Sequence, residues 1–213
     1  MQKRTLDYSL YLVTDRNCLK NQTLEIAVEQ AILGGVTLVQ LREKQLGSKD
    51  FYHQALAIKA ICQQYNVPLL INDRLDIAQA VNADGVHIGQ SDLPCSVVRE
   101  ILGEDKIIGV TAKTVKQAVK AQQDGADYLG VGAMFATTTK TDTTTTTVET
   151  LKDIRQAVDL PIVAIGGINA TTLPLLQADL AKAKIEVDGV AVVSAILANE
   201  DIRLASQQLK SKL

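Results

Sequence analysis

Arg42 and Lys44 follow one short apolar run, and Lys113 and Lys140 stand just past the C-terminal ends of two others. Cations so placed can donate charge-assisted hydrogen bonds to a polyphosphate. Lys113 sits one position further out and reads as a solvated surface lysine. Two carboxylates close further runs, Asp73 in Asn72-Asp73-Arg74 and Asp92 in Gly89-Gln90-Ser91-Asp92. Hard oxygen ligands without His or Cys suit Mg²⁺, which takes one or two carboxylates together with phosphate oxygens. Taken singly, each Asp also suits a helix cap; as a pair beside so many cations they point to a metal. The last two runs end in Gly166-Gly167 and Val193-Ser194. Glycine there permits close backbone approach to a phosphate, or simply a tight turn. A metal-assisted anion site and a metal-free one in the same place imply group transfer better than simple hydrolysis.

The remaining candidates are weaker. His53 falls within a helical pattern, and His87 lies late in an apolar run, where it can face a core or act as a general base. No Ser-His-Asp, Cys-His or acid/base carboxylate pair is legible. A reaction driven by charge stabilisation of a leaving group needs cations and a metal, not a strong base. Thr137–Thr147 holds nine Thr in eleven positions, broken only by Lys140 and Asp142. It reads as a solvated loop, or as a lid carrying hydroxyls and one cation into a site.

Something must bring these residues to one rim. The apolar runs Ser9–Thr14, Thr37–Leu41, Pro68–Ile71, Gly85–Ile88, Lys106–Thr111, Tyr128–Val131, Pro161–Ile165 and Gly189–Val193 are eight predicted strands. They are continuously apolar, as in Ile162-Val163-Ala164-Ile165, and strands covered on both faces of a parallel sheet look like this. Helical periodicity fills the intervals at Leu24–Leu33, Lys49–Tyr65, Val97–Leu102, Val115–Gln123, Val148–Val158 and Thr171–Ala183, and a final helix spans Ala195–Lys212. Ala83-Asp84-Gly85, Gly125-Ala126-Asp127 and Val187-Asp188-Gly189 repeat one helix-to-strand turn. Eight such units in one chain fit a single (β/α)8 TIM barrel over 1–213, with its site where the βα loops converge. An open doubly wound sheet would normally carry a Gly-rich loop after its first strand; Thr14-Asp15-Arg16-Asn17-Cys18 stands there instead.

Composition agrees. With 22 Lys and Arg against 24 Asp and Glu, the formal charge of −2 argues against coating nucleic acid or an anionic membrane. Hydrophobic residues make up 46% and aromatics 3%, so the core is aliphatic and base-stacking platforms are improbable. Cys18, Cys62 and Cys95 are odd in number, far apart and form no CxxC pair, which excludes a zinc cage or disulfide framework. Neither a signal peptide nor a membrane span is legible, so a soluble, reducing, cytoplasmic setting is expected. Oligomeric state stays open, a homo-oligomer included.

At these residues the chain resembles the thiamine phosphate synthase family. The matching pieces are Gln40-Leu41-Arg42-Glu43-Lys44, Ile71-Asn72-Asp73-Arg74, Gly85 to Asp92, Thr139-Lys140, Ala164-Ile165-Gly166-Gly167-Ile168 and Val193-Ser194-Ala195-Ile196, in family order. The resemblance implies a TIM barrel joining 4-amino-5-hydroxymethyl-2-methylpyrimidine diphosphate to a thiazole phosphate or its carboxylate form, giving thiamine monophosphate and pyrophosphate. It implies that Gln40, Leu41, Arg42, Glu43, Lys44 and Asn72 hold the pyrimidine diphosphate, and that Thr111 and Lys140 contact the diphosphate. It assigns Mg²⁺ to Asp73 and Asp92, and the thiazole phosphate to Thr137, Thr138, Thr139, Gly167, Val193 and Ser194. Arg42, Lys44 and Lys140 are the expected catalytic residues. The implied dissociative mechanism, with diphosphate leaving before the thiazole nitrogen attacks, agrees with the missing base. Departures are Thr111 where Ser is usual and Ala133 and Ala136 where Pro is common, which removes two restraints on φ. Thiazole tautomerase relatives share the barrel, but would be expected to place a His at the position of Thr111. A non-catalytic barrel binding thiamine precursors would need neither the carboxylate pair nor the cations.

Overall fold

The computed structural model describes residues 6–136 and 145–213. Strands β1 (Leu10–Val13), β2 (Leu38–Leu41), β3 (Leu69–Asn72), β4 (Gly85–Ile88), β5 (Ile107–Ala112), β6 (Tyr128–Gly132), β7 (Ile162–Ile165) and β8 (Gly189–Val192) pair in parallel, each with the next. β8 returns to β1, with Leu10 opposite Val190, and closes the barrel. Each strand is 4–6 residues long and buried apart from the half-buried His87, Thr111 and Ile165, as continuous apolar runs require.

Closure divides the apolar residues into two cores. Leu10, Leu12, Val39, Leu41, Leu69 and Ile71 face outward and pack under the helices. Their alternates Tyr11, Val13, Leu38, Leu70, Ile107, Tyr128, Val163 and Ala191 fill the barrel interior. Period-2 alternation of a strand produces this split.

The helices are α1 (Leu24–Leu33), α2 (Ser48–Gln64), α3 (Leu75–Ala80), α4 (Cys95–Leu102), α5 (Val115–Gln123), α6 (Val148–Ala157), α7 (Thr172–Ala183), α8 (Ser194–Leu197) and α9 (Ile202–Lys210). Two differences from the sequence reading have physical causes. The expected final helix over Ala195–Lys212 is two helices, because Asp201 caps a new start by accepting from the Leu204 N–H at 2.8 Å. The six residues of α3 are too few to show a helical period, although Leu75, Ile77 and Ala78 are buried. A further 3₁₀ turn, Arg16–Cys18, follows β1 and is capped by Asp15, whose carboxylate accepts from Asn17 N–H at 3.0 Å.

The repeated helix-to-strand turn has a shared purpose. Asp84 accepts from Leu69 N–H at 2.8 Å, Asp127 from Ile108 N–H at 2.7 Å and Asp188 from Ile162 N–H at 2.8 Å. Each Asp also donates its own N–H to the carbonyl of the same residue. A carboxylate at the start of a strand thus fastens the start of the preceding strand, three times around the barrel.

Candidate functional site

The C-terminal strand ends form one rim. At the end of β2, Arg42 donates its backbone N–H to Thr14 Oγ1 at 2.9 Å, and Thr14 N–H donates to the Gln40 carbonyl at 2.9 Å. The Arg42 guanidinium lies 3.1 Å from Asp15 Oδ2. Glu43 has a side chain only 2% exposed, and Arg16 grips it, Nη2 to Oε1 at 2.8 Å and Nε to both oxygens. Arg42, Glu43 and Lys44 line one cleft with Asp15 and Arg16. Asp15 and Arg16 hold the side chains of Arg42 and Glu43, and neither is among the residues expected at the site. Two charges directly after the first apolar run were the available signal.

Lys44 reaches β3 and donates to Asp73 Oδ2. Asp73 has φ +59°, a left-handed backbone that Asp and Asn tolerate better than most residues. Asp92, after β4, accepts from Gly89 N–H at 2.7 Å. Neither Asp caps the following helix: the N-cap of α3 is Arg74 and that of α4 is Pro94, both without a side-chain cap bond. The capping alternative therefore falls away for both. Burial raises the Asp92 carboxyl above its ordinary value and the neighbouring Asp73 adds to this, against the Gly89 N–H and the Lys44 charge. A carboxylate whose ionisation is opposed by burial and by a neighbouring negative charge marks a place where a cation is favourable. Among the described residues no group of three His, Cys, Asp or Glu could hold a metal. A hard ion on this pair would complete its shell with water or phosphate oxygens, as Mg²⁺ does.

Other expected residues divide by which face they occupy. Gln40, Asn72 and Thr111 lie one pleat above interior residues of their strands and face the barrel's mouth. Leu41 is 0% exposed in the outer core, so its side chain points away from the mouth. His87 is turned inward, Nδ1 2.8 Å from Tyr128 Oη and Nε2 2.9 Å from Thr111 Oγ1. His53 is exposed on α2 beside the Tyr52 ring, remote in role from the rim. Lys113 is half-buried, and its N–H donates to Gln117 Oε1 at 2.8 Å.

On the opposite side, Gly166 and Gly167 have φ of +99° and +66°. A Cβ on Gly167 would stand 2.6 Å from the Ala136 carbonyl oxygen, so only glycine fits. The segment after β6 is stitched to this turn: Met134 N–H donates to the Ile165 carbonyl at 2.9 Å and Phe135 N–H to that of Gly166 at 3.0 Å. Ala133 is buried and Ala136 exposed. Val193 and Ser194 begin α8 beside β8. Thr137, Thr138, Thr139 and Lys140 lie outside the described residues.

Burial pushes the thiol pKa of Cys62 up to about 12 and that of Cys95 up to about 11.

A family model described as thiamine monophosphate synthase matches residues 10–196. A thiamine-phosphate synthase of Clostridium tetani is 56% identical over 209 residues, 98% of this chain and 97% of its own length. One from Clostridium botulinum strain Eklund 17B is also 56% identical, covering 99% of this chain and 96% of its own. The solved thiamine phosphate pyrophosphorylase of Pyrococcus furiosus superposes with a TM-score of 0.85 at 34% identity, covering 97% of this chain and 95% of that one.

Proposed function

We propose, since this chain belongs to the thiamine monophosphate synthase family, that its barrel joins the hydroxymethylpyrimidine diphosphate to the thiazole phosphate, or its carboxylate form, and releases pyrophosphate. The relatives make it a transferase of thiamine biosynthesis. The carrying observation is the placement of Arg42, Lys44, Asp73 and Asp92 on three consecutive strand ends, with Lys44 bonded to Asp73.

In this reading the bond between the pyrimidine methylene and the diphosphate oxygen breaks first, and its electron pair leaves with pyrophosphate. The thiazole nitrogen then attacks the methylene carbon. Arg42, Lys44 and Lys140 hold the diphosphate and take up its developing charge. Asp15 keeps the Arg42 guanidinium aimed, and Arg16 neutralises Glu43 so that its carboxylate does not repel the anion. Asp73 and Asp92 would hold Mg²⁺, which when bound would further neutralise the leaving group. Lys44, bonded to Asp73, keeps its ammonium beside the place the diphosphate would occupy. Gln40 and Asn72 orient the pyrimidine. Gly167, Val193 and Ser194, with Thr137 to Thr139, hold the thiazole phosphate. No proton need be removed by a strong base, and both His87 nitrogens are already engaged inside the barrel.

Thr111, rather than a histidine, at the end of β5 speaks against the tautomerase reading. No helix among the described residues is long and apolar enough to cross a membrane, and three free thiols support a reducing cytoplasmic setting.

The test is incubation with both phosphorylated precursors, with and without Mg²⁺, scoring thiamine monophosphate by mass. Product that depends on Mg²⁺ is expected. No product at any Mg²⁺ concentration overturns the reading, and equal product in excess chelator removes the metal from it.

A further inference from the structure

Five inward-facing side chains from five strands make a continuous polar thread through an otherwise apolar interior. Gln40 Nε2 lies 2.6 Å from Tyr11 Oη, Tyr11 Oη 2.9 Å from Tyr128 Oη, and Tyr128 Oη 2.8 Å from His87 Nδ1. His87 Nε2 lies 2.9 Å from Thr111 Oγ1. Neighbouring strands supply glycines where the rings pass. A Cβ on Gly109 would stand 2.1 Å from Tyr128 Cζ, and one on Gly130 would stand 3.1 Å from His87 Cε1.

Counting protons gives the thread a direction. An amide nitrogen only donates, so Tyr11 accepts from Gln40 and passes its one proton to Tyr128. Tyr128 passes its own proton to His87 Nδ1. A neutral imidazole accepting at Nδ1 carries its proton on Nε2 and donates it to Thr111. The Thr111 hydroxyl, having accepted, keeps its own proton for a partner in the mouth. Burial pushes both phenols up, so they stay protonated donors. At the other end, Gln40 Oε1 has no protein partner among the described residues, yet is not enclosed; the only buried unpartnered side-chain oxygen or nitrogen there belongs to Gln22. Turning the Gln40 amide over would reverse every bond, and Thr111 would then donate inward.

We propose that this thread is a polarity-setting device in which Tyr11, Tyr128 and His87 are positioning residues. It presents an acceptor, Gln40 Oε1, to an N–H-bearing ring of the substrate and a donor, the Thr111 hydroxyl, to its phosphate. A ligand amine on Gln40 holds the amide in the orientation that makes Thr111 a phosphate donor, so the two ends of one substrate are recognised together. The proposal rests on the substrate reading above for its ligand, but its geometry belongs to the chain alone.

The test is the protonation pattern of His87 in the ¹⁵N-histidine-labelled full chain at pH 7, read by NMR, with His53→Gln assigning the two rings. We expect a neutral His87 with its proton on Nε2. A proton on Nδ1, or an imidazolium, overturns the proposal. This arm needs no interior variant and no turnover, so it stands or fails apart from the synthase assay. In Tyr128→Phe, a population protonated on Nδ1 should appear; an unchanged pure Nε2–H form overturns the relay. In steady-state assays Thr111→Val should raise KM for the pyrimidine diphosphate about tenfold, and Thr111→Ser should restore it. Equal KM in both variants also overturns it.

Discussion

The Arg42 guanidinium, from the end of β2, meets Asp15, from the end of β1, at 3.1 Å across a separation of 27 residues. A long side chain with many rotamers is thereby held in one direction before any anion arrives, which lowers the ordering cost of binding. Asp15→Ala should raise KM for the pyrimidine diphosphate about tenfold, the loss of one charge-assisted hydrogen bond. Asp15→Asn should recover part of it. Steady-state kinetics with thermal melts as a control would separate aiming from folding.

Glu43 and Arg16 predict a stability effect. The carboxylate is 2% exposed and the guanidinium is its charge partner. Arg16→Ala strands that charge and should cost about 3 kcal/mol. Adding Glu43→Gln to Arg16→Ala should recover much of it. Urea unfolding of the two single variants and the double variant would close the cycle, and additive losses would contradict the pairing.

The Asp73–Asp92 pair predicts a pH-dependent response to Mg²⁺. The Asp92 carboxyl sits above its ordinary range through burial and the nearby Asp73 charge. A raised folded-state value favours the fold below the unfolded value, and that contribution is lost as pH rises through the folded one. Without metal the pair therefore weakens the fold at neutral pH, and a cation relieves the repulsion. Mg²⁺ should raise Tm at pH 7 and have little effect at pH 4, where a proton competes for Asp92. Asp73→Asn, which tolerates φ +59°, should abolish the Mg²⁺-induced shift and reduce pyrophosphate release about a hundredfold while the far-UV spectrum stays unchanged.

The strand-start aspartates predict a loss confined to stability. Asp84→Ala removes the acceptor for Leu69 N–H and should cost about 1–2 kcal/mol. Asp84→Asn keeps an acceptor and should cost less. Neither should alter kcat, because this turn lies at the end of the barrel opposite the rim. Denaturant unfolding and turnover on the same samples check both halves.

Much of the architecture was legible because each strand is continuously apolar and each long helix covers several turns. α1 and α5 fall where their periodicity predicts them, at Leu24–Leu33 and Val115–Gln123. The break between Leu197 and Ile202 was not legible: residues on both sides keep an apolar rhythm, and only a cap at Asp201 separates them. At the rim, residue types singled out Arg42, Lys44, Asp73 and Asp92 as candidates, and closure of the barrel brings them to neighbouring strand ends. Their partners were less accessible. Asp15 is a visible charge after the first strand, but its partner, 27 residues on, is revealed only when β1 and β2 pair.

By itself, then, the order of residues determined eight strand-and-helix units and the chemical kinds of groups at their ends. A continuously apolar strand carries no mark of which alternate residues face inward, because both faces are equally covered. That choice came only with closure and register, which set Tyr11, Gln40, His87, Thr111 and Tyr128 on one side and Leu41 on the other. Whether His87 was a base in the mouth or a link in the interior was decided there, since a side chain's role follows from the atoms it meets across the barrel.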